Sequence, residues 1–136
     1  MDAFILDVSA CMPWCCEDET TAASEEMIEW AMDGSVLHVP SLWAWEMLNA
    51  VSVAIKRQRV TTDRGRAFLE QLGTLNFAID RSPQIGDFPR LHSLTFTQLT
   101  AYDVAYLDLA KRLSLPLATR DNNLRRAALA EGVQVL

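Results

Sequence analysis

Ala3-Phe4-Ile5-Leu6-Asp7-Val8-Ser9-Ala10 is an unbroken apolar run that meets a lone carboxylate and then a hydroxyl. A short apolar run does not by itself separate strand from buried helix. This one holds β-branched and aromatic residues and gives way to Ser9 and then Pro13, so it reads as a strand. Apolar on both faces, it suits the middle of a parallel sheet covered by helices. Asp7 then stands at the carboxyl end, the edge at which open α/β sheets bind ligands. For one Asp alone a helix cap is the plainer explanation, so its meaning depends on whether other acids converge on it.

The rest of the chain alternates. Residues 11–16 read as a turn or short helical piece, and a helix starting at Ser24 ends at Gly34. Residues 36–39 make a second strand stopped by Pro40, and Ser41 is expected to cap a long helix reaching Arg59. A helix over 61–75 and a strand over 76–80 follow, with 81–89 as a loop and 90–98 as a helix. Thr100 opens a helix to Leu113; residues 114–119 form a fourth strand, 122–131 a helix and 133–135 a fifth strand. Strands alternating with helices are the signature of a parallel α/β sheet. At 136 residues, near the roughly 150 typical of a domain, the chain is expected to be a single domain, 1–136.

Half the residues are hydrophobic, enough for a real core. No apolar run approaches the ~20 residues of a membrane span, and the N-terminus has neither the basic region nor the cleavage site of a signal peptide. Cys11, Cys15 and Cys16 lack metal-ligand spacing and fit reduced thiols packed as small hydrophobes in a cytoplasmic protein. A net charge of −6 excludes general electrostatic binding of nucleic acid. Any nucleic acid must be met by local basic groups, or through a metal that offsets clustered carboxylates.

Three further acids stand in unusual company. Glu46 lies in Trp43-Ala44-Trp45-Glu46-Met47-Leu48-Asn49-Ala50-Val51, with Asn49 on its face. A carboxylate among such neighbours is costly unless paired or bound to a cation, or else it snorkels to solvent. Asp103 makes a capping-box-like pair with Thr100, yet it also heads the apolar stripe through Leu107 and Ala110. Asp121 follows the fourth strand, where a plain N-cap also explains it. Asp7 and Asp121 share one side of the sheet if their strands are parallel. Four such acids repel one another, and a hard divalent cation with oxygen ligands relieves that repulsion. A cation so held activates water against a phosphodiester. His38 and His92 are isolated, and no glycine loop cradles phosphate.

With these residues in place the chain resembles the PIN-domain ribonucleases, specifically VapC-type toxins of toxin–antitoxin pairs. Four segments carry the likeness: Ile5 to Ala10, Val39 to Ala50, Leu99 to Ala110 and Leu115 to Leu124, in that order across nearly the whole chain. The resemblance implies a three-layer α/β/α fold with a central, mainly parallel five-stranded sheet. It implies that Asp7, Glu46, Asp103 and Asp121 bind Mg²⁺, with Mn²⁺ as a substitute, and catalyse RNA hydrolysis. Ser9, Asn49 and Thr119 match supporting positions. It also implies a homodimer and a cognate antitoxin that blocks the site and helps the complex bind operator DNA. Val8 stands where Thr or Ala is common, and Asn122 and Asn123 stand where some members carry a further acid.

Arg120, beside Asp121, is the candidate substrate contact; Lys56, Arg57 and Arg59 read as cations complementing a helix C-terminus. Trp43 and Trp45 are expected in core or interface, while Trp14 is open between stacking and packing. The competing classes are a catalytically silent PIN-fold binding module and a Mg²⁺-binding phosphoacceptor domain. The second lacks the paired acids after the first strand and the late lysine. A haloacid-dehalogenase-type phosphatase needs an acid where Ser9 stands.

Overall fold

Strand β1 (Ala3–Leu6) is the second-to-last strand of a four-stranded sheet in the order β3-β2-β1-β4. Its partners are β2 (Val36–Pro40), itself joined to β3 (Phe77–Asp80), and β4 (Leu117–Ala118), and every pairing is parallel. Helices α1 (Val8–Cys11), α2 (Ala22–Met32), α3 (Trp43–Lys56), α4 (Thr62–Leu72), α5 (Phe88–Leu94), α6 (Ala101–Leu113) and α7 (Asn122–Ala130) complete a three-layer α/β/α arrangement. This structure, a computed structural model, describes residues 1–95 and 98–136. Phe4, Ile5 and Leu6 are fully buried, as a strand covered on both faces requires.

The expected fifth strand is not formed. Residues 133–135 meet the sheet through one isolated bridge, Leu117 to Val135. Strand β4 is two residues long, so its outer edge offers little backbone for a ladder to continue. Backbone bonds from Leu117 N to Gln134 O and from Leu136 N to Leu117 O, both 2.9 Å, use what there is.

Ser41 does not cap α3. The helix starts at Trp43, and Leu42 occupies the cap position without a side-chain bond. Helix α2 begins two residues before Ser24, because Thr21 and Ser24 form a reciprocal capping box. The proline-rich loop contains a 3₁₀ turn, Ile85–Asp87, and the start of α5, whose Pro89 is in the first turn, where a missing N–H does no harm. The expected helix over 90–98 therefore starts earlier and is helical to Leu94; Phe96 and Thr97 lie outside the described residues.

Trp14 is core, its Nε1 donating to the Ser24 carbonyl at 3.0 Å. Trp43 is buried on Phe77, with ring centroids 4.9 Å apart, whereas Trp45 is 76 % exposed and belongs to no core. The three cysteines are free and buried, and burial pushes the Cys15 thiol up to about 11, so they pack rather than react. Among the described residues no helix is long and apolar enough to cross a membrane.

Helices α3 and α4 approach closely at Gly65. A Cβ there would lie 2.8 Å from Ile55 Cδ1 and 3.1 Å from Val51 Cγ1. Gly65→Val is expected to destabilise the protein by about 2 kcal/mol through overpacking against a stiff β-branched neighbour. Urea unfolding checks this, and an unchanged midpoint would refute the close approach.

Candidate active site at the carboxyl edge of the sheet

The chain runs from β1 to β2 and β3 on one side and returns to β4 on the other. Strand order therefore reverses beside β1, and such a switch point opens a crevice past the strand ends. Asp7 N donates to Ala118 O at 3.0 Å, which sets Asp7 and Thr119 side by side at that crevice. Asp7 occupies the N-cap position of α1 without a capping side-chain bond. Its Oδ2 instead accepts from Ser9 Oγ at 2.6 Å and Thr119 Oγ1 at 2.7 Å. Asp7 thus stands at the cap position of α1 with its Oδ2 turned to the Ser9 and Thr119 hydroxyls.

Glu46 lies in the first turn of α3, half-buried, and accepts a hydrogen bond from the Tyr106 hydroxyl. Asp103 lies in the first turn of α6, which packs on β1 and β2. Its backbone N donates to Thr100 Oγ1 at 3.2 Å and its Oδ2 accepts from the same hydroxyl at 3.0 Å. Leu107 and Ala110 are buried along the stripe that it heads.

These three acids sense one another. Burial holds the Asp7 carboxyl above its ordinary range; the Ser9 and Thr119 hydroxyls oppose this, and the Asp103 charge adds to it. Burial also raises Glu46, against the Tyr106 hydrogen bond and with the charges of Asp7 and Asp103. Among the described residues none of the three forms an ion pair.

Asp121 is placed differently. It is exposed, and its Oδ1 accepts from Leu124 N at 2.8 Å as the N-cap of α7. It joins the crevice through its backbone, whose N donates to Thr119 Oγ1 at 3.1 Å. Thr119 thus ties Asp7 to the Asp121 backbone, and Ser9 Oγ accepts from Arg120 N at 2.8 Å. Asn49 is exposed one turn beyond Glu46 and shares a groove with Ser9 and Arg120. Among the described residues no three His, Cys, Asp or Glu side chains converge tightly enough to make a ready-formed metal cage.

Tyr106 escaped the sequence reading. It is 1 % exposed, and burial and the Glu46 contact hold its hydroxyl protonated well above the ordinary range. Its spacing of three from Asp103 puts both on one face of α6, which was the available signal. A cleft of about 580 Å³ lies elsewhere, between α5 and the start of α6. Its lining is mostly apolar, with Asp80 and Asp108 among its polar groups, and includes none of the four acids.

The PIN domain family matches residues 4–129. The chain is 33 % identical over 95 residues to the VapC ribonuclease Mb0985 of Mycobacterium bovis and to the ribonuclease VapC9 of Mycobacterium tuberculosis, covering 70 % of this chain and 72 % of each relative. Among solved structures, PAE2754 from Pyrobaculum aerophilum matches with TM-score 0.72 and 20 % identity, over 98 % of this chain and 88 % of that one. FitAcB from Neisseria gonorrhoeae matches with TM-score 0.64 and 16 % identity, over 98 % and 96 %. At such identities the two structures bear on the fold.

Proposed function

We propose, for a chain that belongs to the PIN-domain family and within it to the VapC ribonucleases, that it is a toxin-type endoribonuclease working as a single PIN domain, residues 1–136. Three mutually repelling carboxylates, Asp7, Glu46 and Asp103, with no ion pair among the described residues, carry this reading. Their hard oxygen donors fit Mg²⁺, or Mn²⁺ in its place. Asp7, Glu46 and Asp103 would hold the ion, with Asp121 completing the set once its capping bond loosens. When bound, the cation supplies Lewis acidity for water and offsets charge gathering on the phosphodiester.

The chain's own groups do the positioning. Ser9 and Thr119 fix the Asp7 carboxylate, and Tyr106 fixes that of Glu46. Any of these acids that is left unliganded can accept the proton of the attacking water. Asn49 and Arg120 stand at the entrance for substrate. As a VapC-type toxin the protein acts in the cytoplasm as a homodimer, restrained by a cognate antitoxin that contacts operator DNA with it.

The test is cleavage of RNA by purified, antitoxin-free protein, lost on chelation and restored by Mg²⁺ or Mn²⁺. Cleavage that persists in excess chelator overturns the metal. The alternative is a catalytically silent PIN-fold binding module, favoured by the absence of a ready-formed cage among the described residues. Titration calorimetry with Mn²⁺ separates the two: no binding supports the silent module.

Tyr106→Phe removes the donor that lowers Glu46. Cleavage is expected to fall about tenfold, as for other groups that orient a metal-binding side chain. Because Glu46 then titrates higher still, the acidic limb of the pH–rate profile moves to higher pH. The loss is larger at mildly acidic than at alkaline pH, and a pH-independent loss refutes the link.

A further inference from the structure

A groove of about 460 Å³ leads away from the acids, beginning at Ser9 and Asn49 and continuing past Arg57, Arg59 and Arg120. Ser9 is the residue that holds Asp7, so groove and acid cluster meet at one side chain. Helix α3 ends in a Schellman motif, with Gln58 at φ 57° and bonds from Gln58 N to Ile55 O and Arg59 N to Ala54 O, each 2.9 Å. That reversal sets Arg57 and Arg59 on the groove. In a chain of net charge −6, three guanidiniums beside the acids form a local basic path.

Two of them are engaged by the 3₁₀ turn Glu17–Glu19, which buries none of its residues. Glu19 uses both carboxylate oxygens: Oε1 lies 3.2 Å from Arg59 Nη2 and Oε2 lies 3.5 Å from Arg120 Nη1. Asp18 adds a second contact to Arg59 at 3.3 Å. One anion bridging two guanidiniums through two oxygens is also how the non-bridging oxygens of a phosphodiester are held. The turn is presented by a rigid frame. Arg64 donates to the Trp14 carbonyl at 2.8 Å on one side of it, and the Thr21–Ser24 capping box closes the other.

We propose that this groove binds the phosphate backbone of the RNA as it leaves the acid cluster, and that Glu19, with Asp18, occupies the same arginines as a built-in competitor. The proposal rests on the ribonuclease reading above and names the path of its substrate. Exposed ion pairs are weak, whereas a polyanion gains by releasing its counterions, so RNA displaces the carboxylates. Arg57, which has no ion pair among the described residues, is free to take an adjacent phosphate.

Binding of a fluorescently labelled single-stranded RNA, followed by anisotropy in excess chelator at several salt concentrations, tests this without cleavage. Glu19→Gln is expected to bind about two- to fivefold tighter, the size of one exposed ion pair. Arg59→Gln and Arg120→Gln bind more weakly, each lowering the salt slope by about 0.7. Lys111→Gln, whose ion pair with Glu131 lies away from the groove, serves as the surface control. Glu19→Gln binding no tighter than wild type, or arginine variants with unchanged slopes, overturns the proposal. Should that happen while metal-dependent cleavage persists, the ribonuclease reading survives and only the path is wrong. Binding that follows the expected order in a protein that never cleaves rejects the enzyme and keeps the groove.

Discussion

Asp7→Asn is expected to reduce RNA cleavage by more than about 100-fold, beyond the loss typical of groups that merely orient a ligand, while raising the melting temperature of the metal-free protein. The two effects have one cause. Ser9 and Thr119 both donate to Oδ2 of Asp7, and the amide oxygen of Asn can accept both in its place. What the substitution removes is a charge that is 8 % exposed and faces Asp103. Burial raises the folded-state pKa of Asp7 above the ordinary 3.8. Between the unfolded and folded values the native state holds a proton that the unfolded chain lacks, so stability falls as pH rises through the folded pKa. Above the folded pKa that penalty is fully present, and Asn escapes it. The gain should appear as a higher melting temperature that shrinks as the pH is lowered toward the unfolded value. Calorimetric scans with and without Mg²⁺ check it: added Mg²⁺ should stabilise the wild type and not the variant. A variant that melts lower than wild type, or that cleaves within tenfold of it, contradicts the assignment.

The second large effect concerns stability. Asp108, 3 % exposed, accepts from Arg112 Nε at 2.8 Å and from Arg90 on α5, while Arg112 also pairs with Asp80 at the end of β3. This network fastens α5 and β3 to α6. Removing one partner of a buried pair typically costs about 3–5 kcal/mol. Here the arginine side chains are 46 % and 33 % exposed, and solvent screens the charges left behind. Asp108→Ala is therefore expected to lose about 2 kcal/mol, below that range. Asp108→Asn, which keeps an acceptor, should lose about half as much. Urea unfolding measures both, and hydrogen exchange should show α5 losing protection first. A loss of under about 0.5 kcal/mol in Asp108→Ala would mean that the arginines re-solvate freely.

The order of strands and helices was legible because each depends on local pattern. Phe4-Ile5-Leu6 reads as a covered strand, and Thr100 and Gly34 mark helix ends through their own backbone chemistry. Departures occur where a neighbour decides. Ser41 has the chemistry of a cap but lies a residue too early, and residues 133–135 have strand character but meet a two-residue β4. Of the four acids, strand order paired Asp7 with Asp121, and only the family resemblance added Glu46 and Asp103. In the structure it is the charges of Asp7, Glu46 and Asp103 that act on one another. For Asp121 the N-cap explanation offered by the sequence is the one its carboxylate follows, on Leu124 N at the start of α7.

By itself, then, the sequence determined a parallel α/β chain with Asp7 at the carboxyl end of a covered strand and further acids behind it. Periodicity and capping act over a few residues, so they can be read without knowing what lies across the fold. Only the tertiary structure decided which oxygen of Asp7 is held, that Tyr106 donates to Glu46, and that Glu19 bridges Arg59 and Arg120. Those contacts join residues up to 112 positions apart. Charge and hydrogen bonding at such separations depend on distance and burial, which no local pattern encodes.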